Sequence, residues 1–298
     1  MRILILGAKG MLGQAIVREF SNDKKYKIIA WDKEDLDITN GYKAVRAIKA
    51  IKANIVINAA AYTDVDGAES NKEMAMRVNS DAVGILASAS NKIGAFFIHI
   101  STDYVFKGDK KDGYKENDIP KKPLNVYGES KLLGEKLLLE AAKQGLDYYL
   151  IRTSWLFGPA PRGMQGKSSG KNFVDTMLNL AEKSNQLQVV NDQYGKPTYA
   201  KDFTKMIKYM IESKMDSDIY HFTNEPRQTW YDFAKLIFKI KKEIDSGFKV
   251  PKIIPVKTEQ FPRPARRPKY SVLLNTKLPK GRNIKDTLRE YLGEGIKT

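Results

Sequence analysis

Two short stretches carry side chains able to move a proton. "STDYVFKG" (Ser101 to Gly108) directly follows the apolar run "AFFIHI" and sets hydroxyls, a carboxylate and a phenol where a strand should end. "NVYGESKLLGEKLLLEAAK" places Tyr127 and Lys131 four positions apart at the start of a strongly helical segment, so the two share one helix face. A free phenol, with a pKa of about 10, is a poor acid–base group near neutrality, but a neighbouring ammonium stabilises its phenolate and is expected to lower that value. The same spacing also occurs on ordinary helix surfaces, so the pair gains meaning only beside other signals.

The chain opening supplies one. "MRILILGAKGMLGQAIVREF" reads as a short apolar strand (Ile3 to Leu6), a glycine-rich turn and an amphipathic helix. Gly7, Gly10 and Gly13 form GxxGxxG: Gly7 suits a tight turn, Gly10 lets backbone approach a pyrophosphate, and Gly13 lets helix pack on strand. The helix N-terminus would face phosphates with free N–H groups and the positive end of its dipole. A tight strand-to-helix turn with no ligand is the plain alternative. A second strand, "YKIIAWD", ends in Asp32, about 20 residues beyond the glycines, where an acidic side chain can hold an adenosine ribose.

The elements that must position these groups alternate along the chain. "NIVINAA", "AFFIHIS" and "DYYLIRTSW" are buried-strand runs, separated by helical patterns such as "KEMAMRVNSDAVGILASASNKIG". Such alternation predicts an α/β chain, a Rossmann-type doubly wound parallel sheet, with ligands at the carboxyl ends of the strands. "NAAAYTDVDGAE" and "STDYVF" both follow strands and should converge there. After Trp155 the chain changes character; "GPAPRGMQGKSSGKNF" reads as a loop entering a smaller C-terminal α/β lobe that covers substrate. The expected division is 1–156 for the dinucleotide-binding domain and 157–298 mainly for the substrate lobe, with a return of the chain to the Rossmann sheet left open.

Composition narrows the function classes. The 298 residues suffice for one large domain, a smaller lobe and a sizeable core. There is no cysteine, so disulfides and thiolate metal sites are excluded, and two histidines make no metal cluster alone; no metal is expected. His99 and His221 lie in strand-like runs and read as hydrogen-bonded structural residues. No leader precedes the first strand and no apolar run approaches the roughly 18 residues of a membrane span, so a cytoplasmic protein with no membrane partner is expected. A net charge of +16 invites a nucleic-acid reading, but most lysines occur singly on polar helix faces, and no nucleic-acid partner is expected. The basic group "RPARRPK" (Arg263 to Lys269) could instead attract a substrate diphosphate.

Taken together, GxxGxxG, "NAA", a Ser/Thr after the fourth strand and Tyr-x-x-x-Lys resemble the extended short-chain dehydrogenase/reductases. "STDYVFKG", "YGESKLLGE", "IRTSWLFG", "GKNFVDTML", "VVNDQYGKPT", "YHFTNE" with "TWYDFAKLI", and "RPKYSVLLNTKL" resemble, in order, segments of the dTDP-4-dehydrorhamnose reductases. The resemblance covers nearly the whole chain. It implies reduction of the 4-keto group of dTDP-4-dehydro-L-rhamnose with NADPH or NADH, a nucleotide-sugar substrate, and a homodimer as the permitted assembly. It also implies that Thr102 bonds the keto oxygen, Tyr127 donates the proton, and Lys131 holds the nicotinamide ribose. Gly7, Gly10, Met11, Leu12, Gly13, Asp32, Asp37, Ile38, Ala61, Tyr62 and Thr63 match cofactor-lining positions, with Tyr127 and Lys131. Asp103, Trp155 and Asn172 are carried over as substrate contacts, although Trp155 reads equally well as a core aromatic.

Related readings differ at identifiable places. Nucleotide-sugar 4,6-dehydratases carry an acid directly after the Thr-Asp pair, where this chain has Tyr104, while 4-epimerases keep their cofactor permanently bound. The regulatory beta subunit of methionine adenosyltransferase also resembles these reductases and acts as a binding partner; the intact hydroxyl, Tyr and Lys argue against that role. This chain departs from the reductase pattern in the extra residues "PAPRGMQGKSSG", in the extra basic residues of "RPARRPKYS", and in Asn275, where an acidic residue is usual nearby.

Overall fold

Four consecutive buried residues, Ile3 to Leu6, make up most of the first strand (β1, Arg2–Leu6). Such a run fits only a strand covered on both faces. The computed structural model describes residues 1–159 and 172–294; the expected insertion "PAPRGMQGKSSG" lies, apart from Pro159, outside them. The longer strands that follow, among the described residues, are β2 (Lys27–Trp31), β3 (Ile55–Asn58), β4 (Phe96–Thr102), β5 (Tyr148–Thr153), β6 (Gln186–Val190), β7 (Asp218–His221) and β8 (Lys252–Val256). The central sheet runs β7-β5-β4-β3-β1-β2 with every neighbouring pair parallel. The chain reverses direction across the sheet between β1 and β3, which is where an open parallel sheet leaves a crevice for ligand.

The side-chain period of two assigns each strand residue to a face. Ile3 and Ile5 of β1, Ile55 and Ile57 of β3 and Ile98 and Ile100 of β4 meet the helices α1 (Met11–Ser21) and Ala200–Glu212. Leu4 and Leu6, Val56 and Phe97 point the other way, into α2 (Gly41–Ile51), α3 (Ala82–Lys92) and α4 (Val126–Ala142). Each fully buried aliphatic side chain contributes about 1.5–3 kcal/mol, so two such layers fix which face every helix must cover. This is a doubly wound α/β sheet.

The predicted long helix around residues 72–94 is not continuous. It begins as Lys72–Met76, passes through a π-helical turn at Arg77–Asp81 and resumes as α3. A π turn adds a residue and turns a side chain off the regular face; here it buries Asn79 against neighbouring loops. Beyond Thr153 the chain builds a second core around Phe157, Val174, Phe233, Ile237 and Leu288, contributed by α5 (Phe173–Ala181), α7 (Trp230–Ile244) and α8 (Ile284–Glu294) beside the parallel pair β6–β8. Between α5 and α7 it crosses back: α6 (Ala200–Glu212) packs on the sheet layer and β7 pairs with β5.

Gly13 is where α1 meets β1 most closely, since an added Cβ would overlap the Gly7 carbonyl oxygen. We expect Gly13→Ala to destabilise the chain by about 1–3 kcal/mol through overpacking, read by denaturant unfolding. Gly293→Ala in α8, where a Cβ meets nothing within 4 Å, should be neutral or slightly stabilising. Equal effects at the two positions would contradict the close approach.

Candidate active site

The glycine turn works by removing side chains at three different distances. Gly7 has φ +76°, and a Cβ there would lie 2.6 Å from the Ala60 amide nitrogen, so the end of β1 is held against the end of β3. Gly10 begins α1 with no side-chain cap, in contrast to Asn40 and Asn125, whose side chains cap α2 and α4 by accepting from Lys43 and Gly128 N–H. The first-turn N–H groups of α1 therefore lack the internal acceptor that most helices provide. Asp32 closes β2 and ties the turn down: its carboxylate accepts from the Lys9 amide at 2.7 Å and from the Lys33 amide at 2.8 Å.

The other residues expected around a cofactor sit on the same edge. Met11 is half-buried and Leu12 is in the core under the turn. Asp37 is exposed and accepts from both the hydroxyl and the amide of Thr39, bonds that hold its carboxyl below the ordinary value, while Ile38 is buried beside it. Ala61, Tyr62 and Thr63 follow β3. Asn79 fixes this loop from below, accepting from the Tyr62 amide at 2.9 Å and donating to the Tyr62 carbonyl at 3.0 Å and to Ser130 Oγ at 3.0 Å.

Thr102, Asp103, Tyr104, Tyr127 and Lys131 meet where β4 ends against the start of α4. The Thr102 hydroxyl donates to Asp103 Oδ1 at 3.0 Å and accepts from the Tyr104 amide at 3.2 Å. Tyr104 meets the Tyr127 ring edge-on, with centroids 5.8 Å apart. Asp103 is buried with Oδ2 unpartnered. Burial pushes its carboxyl up to about 7, against the pull of Ser271 and Thr102. The Tyr127 phenol differs from expectation. Burial raises it to about 12 instead of Lys131 lowering it, because Lys131 Nζ turns away into β4 and donates to the Ile100 carbonyl at 2.7 Å.

That ammonium is itself under pressure. Lys131 is 2% exposed, and burial brings it down to about 8, with Glu135 opposing the shift. His99 Nε2 lies 3.4 Å from Lys131 Nζ, and burial followed by this cation keeps the imidazole well below its ordinary value. Asn58 holds the ring from its other side: its Oδ1 accepts from the Ala60 amide and its Nδ2 lies 3.2 Å from His99 Nδ1.

Trp155 takes the left-handed backbone, φ +46°, which is strained for a bulky residue. Its indole stacks on Trp230 with centroids 3.4 Å apart, and Gly195 leaves room for it: a Cβ there would lie 2.5 Å from the ring. Asn172 caps α5, accepting from the Asp175 amide and donating to the Gly158 carbonyl at 2.8 Å, so its amide is already engaged. Arg263 and Arg267 both bond Asp66, Arg267 through both terminal nitrogens at 2.5 and 3.0 Å, while the Arg266 side chain is exposed.

Sequence reading had no hold on Asn79, Ser271, Glu135 or Arg152. Two signals were available: an arginine inside the apolar run "DYYLIRTSW" needs a buried counter-charge, and Glu135 stands one turn beyond Lys131 on the same helix face.

Comparison with known proteins extends this picture. Residues 1–297 match the family described as RmlD substrate binding domain. A dTDP-4-dehydrorhamnose reductase of Aggregatibacter actinomycetemcomitans is 40% identical over 285 residues, 93% of this chain and 92% of that one. A dTDP-4-dehydrorhamnose reductase of Bacillus anthracis str. Ames, solved in complex with NADP, superposes with a TM-score of 0.88 at 36% identity, covering 98% of this chain and 99% of that one. A dTDP-4-dehydrorhamnose reductase ortholog from Clostridium acetobutylicum ATCC 824 gives 0.89 at 38% identity, with both chains fully covered. With a hydroxyl, a phenol and a buried ammonium gathered beside a glycine turn, and with relatives this similar over this length, the chain belongs to the RmlD substrate binding domain family together with the dTDP-4-dehydrorhamnose reductases.

Proposed function

We propose that this chain is an NAD(P)H-dependent oxidoreductase that reduces the 4-keto group of dTDP-4-dehydro-L-rhamnose to give dTDP-L-rhamnose. The observation that carries the reading is the gathering of Thr102, Tyr127 and Lys131 at the end of β4, in a chain similar throughout its length to reductases of that name. The residues fit a dinucleotide: the first turn of α1 has no side-chain cap, Gly10 adds no bulk over it, and Asp32 lies at the neighbouring strand end. Gly7, Gly10, Met11, Leu12, Gly13, Asp32, Asp37, Ile38, Ala61, Tyr62 and Thr63 would hold the cofactor, with Lys131 at its nicotinamide ribose. When bound, a reduced nicotinamide supplies a hydride.

The chain's own groups handle the proton and the charge. Reduction builds negative charge on the carbonyl oxygen, and donors already fixed at that oxygen favour the transition state over the ground state. Thr102 Oγ1 and the Tyr127 hydroxyl, neighbours at the end of β4, are those donors. At about 12, Tyr127 keeps its proton throughout the neutral range, the form a reduction needs. Asp103 Oδ2, buried without a partner, is a ready acceptor or donor for a sugar hydroxyl, and Trp155 offers an apolar wall.

The reading includes a cytoplasmic location, a homodimeric assembly and no nucleic-acid partner. The exposed Leu133 and Leu137 on α4 support an assembly, and the pairing of Arg263 and Arg267 with Asp66 leaves less of that segment's charge to read phosphates. Residues 1–156 then serve the cofactor and 157–298 mainly the substrate, apart from α6 and β7.

Three measurements test the assignment. Tyr127→Phe should keep the fold and cofactor affinity while lowering turnover of dTDP-4-dehydro-L-rhamnose by about 10²–10⁴; near-normal turnover would sink the assignment. Because burial disfavours the Lys131 ammonium, cofactor affinity and kcat/KM should fall as pH rises through about 8, and a flat profile to pH 10 would remove Lys131 from the cofactor. Asp103 has a raised folded pKa, so its contribution to stability is complete below its unfolded pKa and disappears as pH climbs toward about 7. Relative to Asp103→Asn, the natural chain should lose about 2 kcal/mol between pH 5 and pH 8 in urea unfolding; parallel pH curves would contradict this.

A further inference from the structure

Beneath the Thr102–Tyr127–Lys131 cluster lies an ion pair that the mechanism above does not use. Arg152 of β5 and Glu135 of α4 are each about 1% exposed. Arg152 Nε donates to Glu135 Oε1 at 2.9 Å and Nη2 to Oε2 at 2.7 Å, while Ser101 Oγ donates to Oε1 at 2.5 Å. One carboxylate therefore joins three elements at their functional ends. Ser101 immediately precedes Thr102 on β4. Arg152 precedes Thr153, which is in register with Thr102. Glu135 itself lies one helical turn beyond Lys131 and two beyond Tyr127.

The surroundings of Lys131 show why a carboxylate is needed there. From β4 it meets the Ile100 carbonyl and His99, a ring that burial and Lys131 itself keep uncharged. β5 brings the Arg152 guanidinium, also a cation, with His221 Nε2 3.4 Å from Arg152 Nη1. His221 is kept neutral, near 3, by burial and then by Arg152. On its own helix Lys131 has the Tyr127 phenol and Glu135, and at the end of β4 there is Asp103, beside Tyr127. Two buried cations thus lie beside one carboxylate, and a buried cation without a partner is costly.

We propose that Glu135 is a positioning residue for the reaction: it locks α4 to β4 and β5 and supplies the counter-charge that keeps the Lys131 ammonium in its working form, without touching substrate. The proposal rests on the cofactor role given to Lys131 above. It explains why so much polar hydrogen bonding is concentrated in a layer that an apolar core would fill at no desolvation cost. Arg152 holds the carboxylate in place from the far side, stacked on the Phe106 ring with its guanidinium carbon 5.0 Å from the ring centroid.

The test is the pH dependence of NADPH affinity, followed by fluorescence titration, and of kcat/KM, in the full chain. In Glu135→Gln the alkaline limb should move down by roughly one pH unit, because the ammonium loses its opposing charge. Glu135→Asp should restore part of that shift. A limb at its original pH in folded Glu135→Gln, whatever the loss of Tm or rate, would overturn the proposal, since a purely structural residue moves stability and not the limb. Where Glu135→Gln leaves Arg152 unpaired and the chain unfolds, Glu135→Gln with Arg152→Met is compared with Arg152→Met alone, so that both chains lack the guanidinium's opposing charge. The limb should lie lower in the double variant than in Arg152→Met, and limbs at the same pH count against Glu135 in the same way. Affinity and turnover are read separately, so a chain that binds NADPH with the expected shift but reduces no keto sugar would overturn the reaction and uphold Glu135.

Discussion

A cation cannot be buried without partners, and the Lys131 ammonium sets the terms for the groups packed around it. Its hydrogen bond goes to the Ile100 carbonyl, two residues before Thr102 on the same strand. Satisfying the charge therefore fixes α4 at one height along β4. Tyr127, one turn earlier on α4, is then brought to Thr102. Close approach of α4 to its neighbour also depends on Gly134, where a Cβ would overlap the Asn79 carbonyl. Through Asn79 the constraint reaches Ser130 and the Tyr62 backbone, so the loop after β3 and α4 share a single frame.

The sheet was readable because its signals are local. Period-two burial, a glycine turn and apolar runs of four to seven residues each report on their own segment, and β1 to β5 lie where those runs stand. The π turn at Arg77–Asp81 was not readable. Its sequence, "RVNSD", keeps a helical pattern, and what stabilises the bulge is the bonding of Asn79 to residues 17 and 51 positions away. The return of α6 and β7 to the sheet is a choice of partner, made by Phe203, Ile207 and Met210 against α1 and β1, and equally apolar helices nearby went to the second core.

The site divides along the same line. That Thr102, Tyr127 and Lys131 come together was readable because each falls in a short motif next to a strong element boundary. The tuning of those groups was not, since it depends on burial and orientation rather than on spacing. Sharing a helix face with Lys131 suggested a lowered Tyr127 phenol; in the fold Nζ points into β4 and desolvation dominates, raising the phenol to about 12. Asp32 shows a related gap between position and role. It stands at the expected strand end, yet its carboxylate is already bonded to Lys9 and Lys33 amides, so it shapes the glycine turn whatever else it holds. A carboxylate has lone pairs left after two such bonds, and one residue can do both.

The basic segment near the C-terminus turns part of its charge inward. Arg263 and Arg267 converge on Asp66, which lies just beyond the loop after β3, and their attraction keeps that carboxyl below its ordinary value against burial. Arg267 also acts on Tyr104, the ring that meets Tyr127 edge-on, and four residues later Ser271 acts on Asp103. One segment of chain thus reaches Asp66 and two neighbours of Thr102 and Tyr127. The glycine turn needs only residues close in sequence to take its shape. The floor beneath Asp103 and Tyr104 needs residues more than 150 positions away, so the substrate side of the cleft is complete only when the C-terminal segment is seated, and its geometry inherits the cooperativity of the whole fold.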